Sequence, residues 1–115
     1  MPKQLNQIIG SFVFRNEGDG CLTSKYQNHS NTEAPFIEAC KLIGPINQDD
    51  QFIGTYKTVW LEDGNNDITM LLEIKRSATN NALFDFTWYV SNINQPTFWG
   101  TGMLFEALLV GAYWD

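Results

Sequence analysis

Phe36-Ile37-Glu38-Ala39-Cys40-Lys41-Leu42-Ile43 sets a carboxylate inside an apolar run. In an extended strand, successive side chains point to opposite faces. One register turns Phe36, Glu38, Cys40 and Leu42 inward. A carboxylate placed there is desolvated, its pKa rises, and it can serve as an acid or base. The other register turns Ile37, Ala39 and Ile43 inward and lets Lys41 reach water along its apolar stem. An unpaired buried charge is costly, and the sequence leaves both registers open. A short helix over the same residues is a further alternative. Glu38 is the catalytic candidate, with Tyr56 beside it.

Other chemistry has little to stand on. The one histidine, His29, and the two cysteines, Cys21 and Cys40, lie in separate segments. A zinc site needs three or four nitrogen or sulfur ligands, so no metal is expected. Asn16-Glu17-Gly18-Asp19-Gly20 and Asp63-Gly64-Asn65-Asn66-Asp67 are acidic turns without the full spacing of a calcium loop. No nucleophile motif or phosphate-binding loop is present, and no cofactor is expected. In a reducing compartment Cys21 and Cys40 read as small packed residues, not a disulfide.

The chain has 115 residues and suits one domain over its whole length, 1–115. Hydrophobic residues make up 43% and charged residues 17%, so it can bury a core unaided. The net charge is -6, and the seven Lys and Arg are scattered. Phosphate binding needs clustered cations, so neither nucleic acid nor membrane is an expected partner. The opening residues lack a leader-like apolar run, which points to the cytoplasm.

Eight short extended segments separated by turn signals must position these residues. They run Ile9–Arg15, Cys21–Gln27, Phe36–Ile43, Gln51–Glu62, Ile68–Arg76, Leu83–Val90, Thr97–Leu104 and Ala107–Trp114. His29–Pro35 reads as a polar loop. Sustained helical periodicity is missing. The expected fold is all-β: a single eight-stranded antiparallel up-and-down β-barrel.

Alternation assigns the faces. Phe52, Gly54, Tyr56, Thr58 and Trp60 share one face, and Phe84, Phe86, Trp88 and Val90 another. Asp85 faces water. The last two segments are apolar on both faces. Trp99, Met103, Phe105, Leu108, Val110 and Trp114 lie opposite Gly100, Gly102, Leu104, Leu109 and Tyr113. A barrel strand needs only one buried face, so the first set predicts a covered outer surface.

A short string recurs roughly 45 residues apart. It reads Ile8-Ile9-Gly10-Ser11-Phe12, then Phe52-Ile53-Gly54-Thr55-Tyr56, then Phe98-Trp99-Gly100-Thr101-Gly102. Gly inside a strand marks a bend or a close approach, so Gly10, Gly54 and Gly100 are expected at barrel corners. This string, and Asp19-Gly20-Cys21-Leu22-Thr23-Ser24-Lys25-Tyr26, resemble the first hairpins of avidin and streptavidin. Lipocalin-like barrels of the calycin type carry similar strings. The resemblance implies an up-and-down barrel. It brings no biotin-binding residues: avidins place an Asn and a Ser just after the first string, and the matching stretch here, Val13-Phe14-Arg15-Asn16-Glu17, has no Ser.

Three functions fit such a barrel. The first is a module that binds a small apolar or aromatic molecule, lined by Phe12, Tyr26, Tyr56, Thr58, Trp60 and Trp88, with Ser24 and Thr58 orienting it. The second is a filled barrel that assembles with itself, as a homodimer or higher, through the C-terminal hairpin. The third is a cyclase or isomerase acting on a hydrophobic substrate. This resembles the small barrels of allene oxide cyclase and its relatives, which work with few polar groups.

Overall fold

Apolar and polar residues alternate along eight segments, and each becomes a strand with one greasy face. The computed structural model describes residues 7–46, 50–61, 68–90 and 95–115, with backbone alone for 31–34. The acidic turn at 63–67 lies outside the described residues. The strands are β1 (Ile9–Gly18), β2 (Cys21–Asn28), β3 (Asn31–Leu42), β4 (Gly54–Leu61), β5 (Ile68–Arg76), β6 (Leu83–Tyr89), β7 (Pro96–Phe105) and β8 (Leu108–Trp114). Each pairs antiparallel with its sequence neighbour, and β1 pairs with β8, from Ile9 opposite Trp114 to Arg15 opposite Leu108. The result is a closed eight-stranded up-and-down barrel. Closure removes the free edges that an open sheet would expose.

Three strand boundaries differ from the sequence reading by three residues or more. β1 runs on to Gly18 instead of ending at Arg15. β3 starts at Asn31, inside the expected polar loop. Its pairing with β2 shifts register between Tyr26 and Asn28, and Pro35 sits on β3 within that irregular stretch. A bulge is one of the few places in a sheet where a residue without an N–H is tolerated. β4 starts at Gly54, not Gln51. Phe52 precedes the strand, is 3% exposed, and closes that end of the barrel. The Tyr56 hydroxyl donates to the Phe52 carbonyl at 2.9 Å. Gly54 therefore opens a strand, with φ of 153°, and does not bend one in mid-course.

The other two repeat glycines answer to close approach. A Cβ on Gly10 would lie 2.5 Å from the Tyr113 ring and strike the Gln27 carbonyl oxygen. One on Gly100 would lie 2.8 Å from the Ala112 carbonyl oxygen and 3.1 Å from the Trp88 ring. Both sites leave room for a neighbouring ring.

Those rings fill the barrel. Phe12 and Phe86 have centroids 4.6 Å apart, Phe14 and Phe86 are stacked at 5.6 Å, and Phe86 and Trp88 at 5.7 Å. Trp60 packs against Tyr26 at 4.8 Å and Phe98 at 5.1 Å. Burying each such side chain is worth about 1.5–3 kcal/mol. The middle of the barrel is packed side chain, so space for a guest lies at its ends.

Candidate functional site

The third strand settles the register of Glu38. Glu38 and Cys40 point inward and are buried, while Ile37, Ala39 and Lys41 face out. Phe36 and Leu42 share the inner face and are half-buried. The costlier register wins because the barrel supplies partners. Thr58 donates its hydroxyl to Glu38 Oε2 at 2.6 Å. Trp60 and Trp88 donate their indole N–H groups to the same oxygen, each at 2.9 Å. Hydrogen bonds to a charged group contribute about 1.5–3 kcal/mol each. Three of them are the same order as the several kcal/mol that desolvating a carboxylate costs.

These partners come from a simple arrangement. Trp60 stands directly opposite Glu38 across the β3–β4 pair, and Thr58 is two residues earlier on the same inner face. Trp88 reaches in from β6. Ser24 stands opposite Glu38 on the β2 side. Its hydroxyl is buried and has no hydrogen-bond partner, although it is near enough to favour the charged carboxylate. The Cys40 sulfur lies 3.3 Å from Thr58 Oγ1.

Among the described residues no ion pair includes Glu38. Burial raises its pKa above the ordinary 4.5, and the bonds from Thr58, Trp88 and Trp60 pull the other way. Burial also pushes the Cys40 thiol well above 9.0, and the neighbouring Glu38 adds to it. Burial takes the Tyr56 phenol up to about 12. Neither Cys40 nor Tyr56 is poised to exchange a proton near neutral pH.

Above this cluster, the end of the barrel where the Ile8 N–H meets Asp115 holds a cavity of about 360 Å³. Its walls include Phe36, Trp60, Met70, Phe98 and Tyr113, with Asn28 and Ser30 as polar members. Asn28 Nδ2 donates to the Tyr113 hydroxyl at 3.1 Å. Asn28 Oδ1 accepts from the Ser30 backbone N–H at 3.0 Å. Trp60 belongs to both layers: its ring lines the cavity and its N–H is held by Glu38. Glu38 itself is not part of the lining. A larger hollow of about 620 Å³ lies at the opposite end. It is bordered by the β1–β2 turn, Asp50, Gln51 and Tyr56, and Arg76 holds Asp50 at 2.9 Å.

Of the six lining residues expected from sequence, the mouth cavity takes only Trp60. Tyr56 borders the opposite hollow, and Thr58 and Trp88 serve Glu38. Phe12 and Tyr26 are buried and edge a shallow outer hollow of about 300 Å³. Asn28, Ser30, Phe36, Met70, Phe98 and Tyr113 were not anticipated. A usable signal existed: in up-and-down order, even strands end and odd strands begin at one rim.

His29 approaches neither cysteine. It follows the end of β2, where its Nδ1 accepts from the Ile9 backbone N–H at 3.3 Å. Cys21 begins β2, about 25 Å away along the strand. Both cysteines are free. Asp85 is exposed, as expected.

Trp99, Met103, Phe105 and Trp114 are exposed, at 41%, 55%, 62% and 37%. Leu108 and Val110 are half-buried on the same outer face. Cross-strand pairing joins Trp99 to Trp114, Met103 to Val110 and Phe105 to Leu108. Leu104 was expected on the inner face but is 48% exposed, because it lies beside the β7–β8 turn, where the barrel ends.

No protein-family model matches the chain, and no curated protein and no solved structure shows significant similarity to it. The closed eight-stranded barrel is compatible with the calycin-like fold that those strings implied.

Proposed function

We propose that this barrel binds a small, largely apolar molecule in the cavity at the mouth beside Ile8 and Asp115. The mouth cavity carries the reading. It combines aromatic and thioether walls with a hydrogen-bonded Asn28–Tyr113 pair, the usual make-up of a small-ligand site. Its volume of about 360 Å³ fits one or two rings. The packed centre beneath gives it a rigid floor.

A neutral fluorescent naphthylamine, N-phenyl-1-naphthylamine, tests this reading. Its emission should rise on binding, and Phe98→Ala should weaken binding at least about tenfold while the fold is retained. Saturable binding that ignores Phe98→Ala overturns the proposal.

The outer face of β7 and β8 favours a second reading, self-association. Its outward side chains are Trp99, Thr101, Met103, Phe105, Leu108, Val110, Ala112 and Trp114. None carries a charge, whereas the outer faces of β4, β5 and β6 carry Lys57, Glu73, Lys75 and Asp85. Two copies of an acidic chain meet with least repulsion on an uncharged face.

A further inference from the structure

The mouth cavity is ringed by aromatic faces and backed by one acidic side chain. The lining offers rings from Phe36, Trp60, Phe98 and Tyr113, and no Lys, Arg or His among the described residues. Directly behind Trp60 stands Glu38, whose Oε2 accepts three hydrogen bonds that favour its charged form, with no cationic partner among the described residues. The whole chain carries -6. Aromatic faces attract cations through their quadrupole, most strongly when the cation is desolvated.

Trp60 links the two layers. Its N–H is taken by Glu38 at 2.9 Å, so it shows the cavity carbon and not a donor. An indole that donates to a carboxylate gains electron density on its ring, and that density strengthens its pull on a cation. The anion is too deep to touch a guest, but a low-dielectric interior screens its field weakly. An anionic guest would meet that field as repulsion. A neutral guest would leave the carboxylate uncompensated.

We infer that the mouth cavity selects a small organic cation of the quaternary or alkylated ammonium class, caged by Phe36, Trp60, Phe98 and Tyr113 over the buried Glu38 carboxylate. This rests on the reading of the mouth as a binding site and adds the charge of what it holds. An alkylated ammonium suits the site better than a bare one. The walls offer few acceptors for N–H groups, and methyl groups match the apolar lining.

Choline and its uncharged carbon analogue, 3,3-dimethylbutan-1-ol, differ in charge at nearly constant shape. Their affinities for the full chain can be compared by displacement of N-phenyl-1-naphthylamine and by ligand-observed NMR. Choline should bind at least about tenfold more tightly. That ratio should fall toward one in Glu38→Gln, and also in the unaltered protein as acid protonates Glu38. The pH series stands in for the variant if Glu38→Gln fails to fold. Ser24, Cys40, Thr58, Trp60 and Trp88 surround Glu38, and the Tyr26 and Tyr113 rings pack on the two indoles. Asp115 and His29 bond the Ile8 and Ile9 backbone N–H groups at the rim, so Asp115→Asn and His29→Gln are the controls for the pH series.

Equal affinities overturn the cation inference and leave the mouth as a site for neutral guests. A choline preference that ignores both Glu38→Gln and pH overturns the role of Glu38. If neither compound nor the fluorescent probe binds at millimolar concentration, the binding site itself is refuted.

Discussion

Trp60 on β4 and Trp88 on β6 donate to one and the same atom, Glu38 Oε2, each at 2.9 Å. Their rings meet edge to face at 6.2 Å. The carboxylate thus fixes two large side chains from strands that are not neighbours, and Thr58 completes the set at 2.6 Å. Without an acceptor at position 38, the two indole N–H groups would be stranded in a packed interior, while the Thr58 hydroxyl would keep the Cys40 sulfur at 3.3 Å.

Glu38→Gln and Glu38→Leu should therefore diverge. The glutamine carbonyl keeps an acceptor for the three donors, and its amide can donate to the unpartnered Ser24 hydroxyl. Its stability near pH 7 should match or exceed that of the parent, since replacing a buried charge is often stabilising by about 1–4 kcal/mol. Leucine orphans both indole N–H groups, at about 1–3 kcal/mol each, so a loss above about 2 kcal/mol is expected. Urea denaturation measures both. A leucine variant as stable as the glutamine one would show that the cluster does not hold the core.

The same carboxylate gives stability a pH dependence of known sign. Burial raises its folded pKa above 4.5, so the folded state holds the proton more tightly than the unfolded chain. Its contribution is greatest below 4.5 and declines as pH climbs from there through the raised folded value. Glu38→Gln has no such decline. Calorimetric Tm values should show the variant gaining on the parent as pH rises through that window, then a constant gap. Other carboxylates titrate in both proteins and cancel. A gap that stays flat across the window would contradict the raised pKa.

The barrel was legible because alternation in Phe84-Asp85-Phe86-Thr87-Trp88 and Gly54-Thr55-Tyr56-Lys57-Thr58 writes two faces directly. The site was less so. Glu38 alternates in step with Phe36 and Cys40, yet burying it looks unfavourable until Trp60 and Trp88 are known to converge there. That convergence joins residues 22 and 50 positions away from Glu38, and no local pattern carries it. The mouth residues sit at strand ends, where a shift of one or two residues decides which side chains reach the rim. Phe52 shows the same limit: it matches the alternation of β4 but belongs to the segment that caps the barrel.

Gly10→Ala should disturb both fold and mouth. The added methyl would press on Tyr113, which lines the cavity, and on the Gln27 carbonyl. Overpacking of this kind costs about 1–3 kcal/mol, and the rigid carbonyl places Gly10 toward the upper end. Gly100→Ala meets its neighbours at 2.8 Å and beyond, so it should lose less. Thermal unfolding ranks the two, and the opposite order would show that Tyr113 yields easily.

Cys21 and Cys40 should differ in reactivity. Cys21 lies half-exposed at the start of β2, with Lys41 Nζ 3.7 Å from its sulfur. Cys40 is 4% exposed, and burial and Glu38 both raise its thiol pKa. The thiolate is the nucleophile, so a disulfide reagent at pH 8 should modify Cys21 at least about a hundredfold faster. Mass analysis of the labelled peptides reads the ratio. Equal rates in the folded protein would mean that the β3 interior opens readily.

The uncharged outer face makes the last prediction. Trp99 and Trp114 pair across β7 and β8, with Met103 and Phe105 further along the same face. Burying each is worth about 1.5–3 kcal/mol. Association itself costs about 4–15 kcal/mol in lost freedom, so four such side chains suffice only if they bury together. Met103→Asp with Phe105→Asp places two like charges on this face of each copy and should leave a monomer. The cavity at the mouth is lined by neither residue, so probe binding should persist. Sedimentation velocity gives the mass of each form. A parent that is already monomeric at high concentration would reassign this face to some other partner, whereas an oligomer unmoved by both charges would place its contact elsewhere on the barrel.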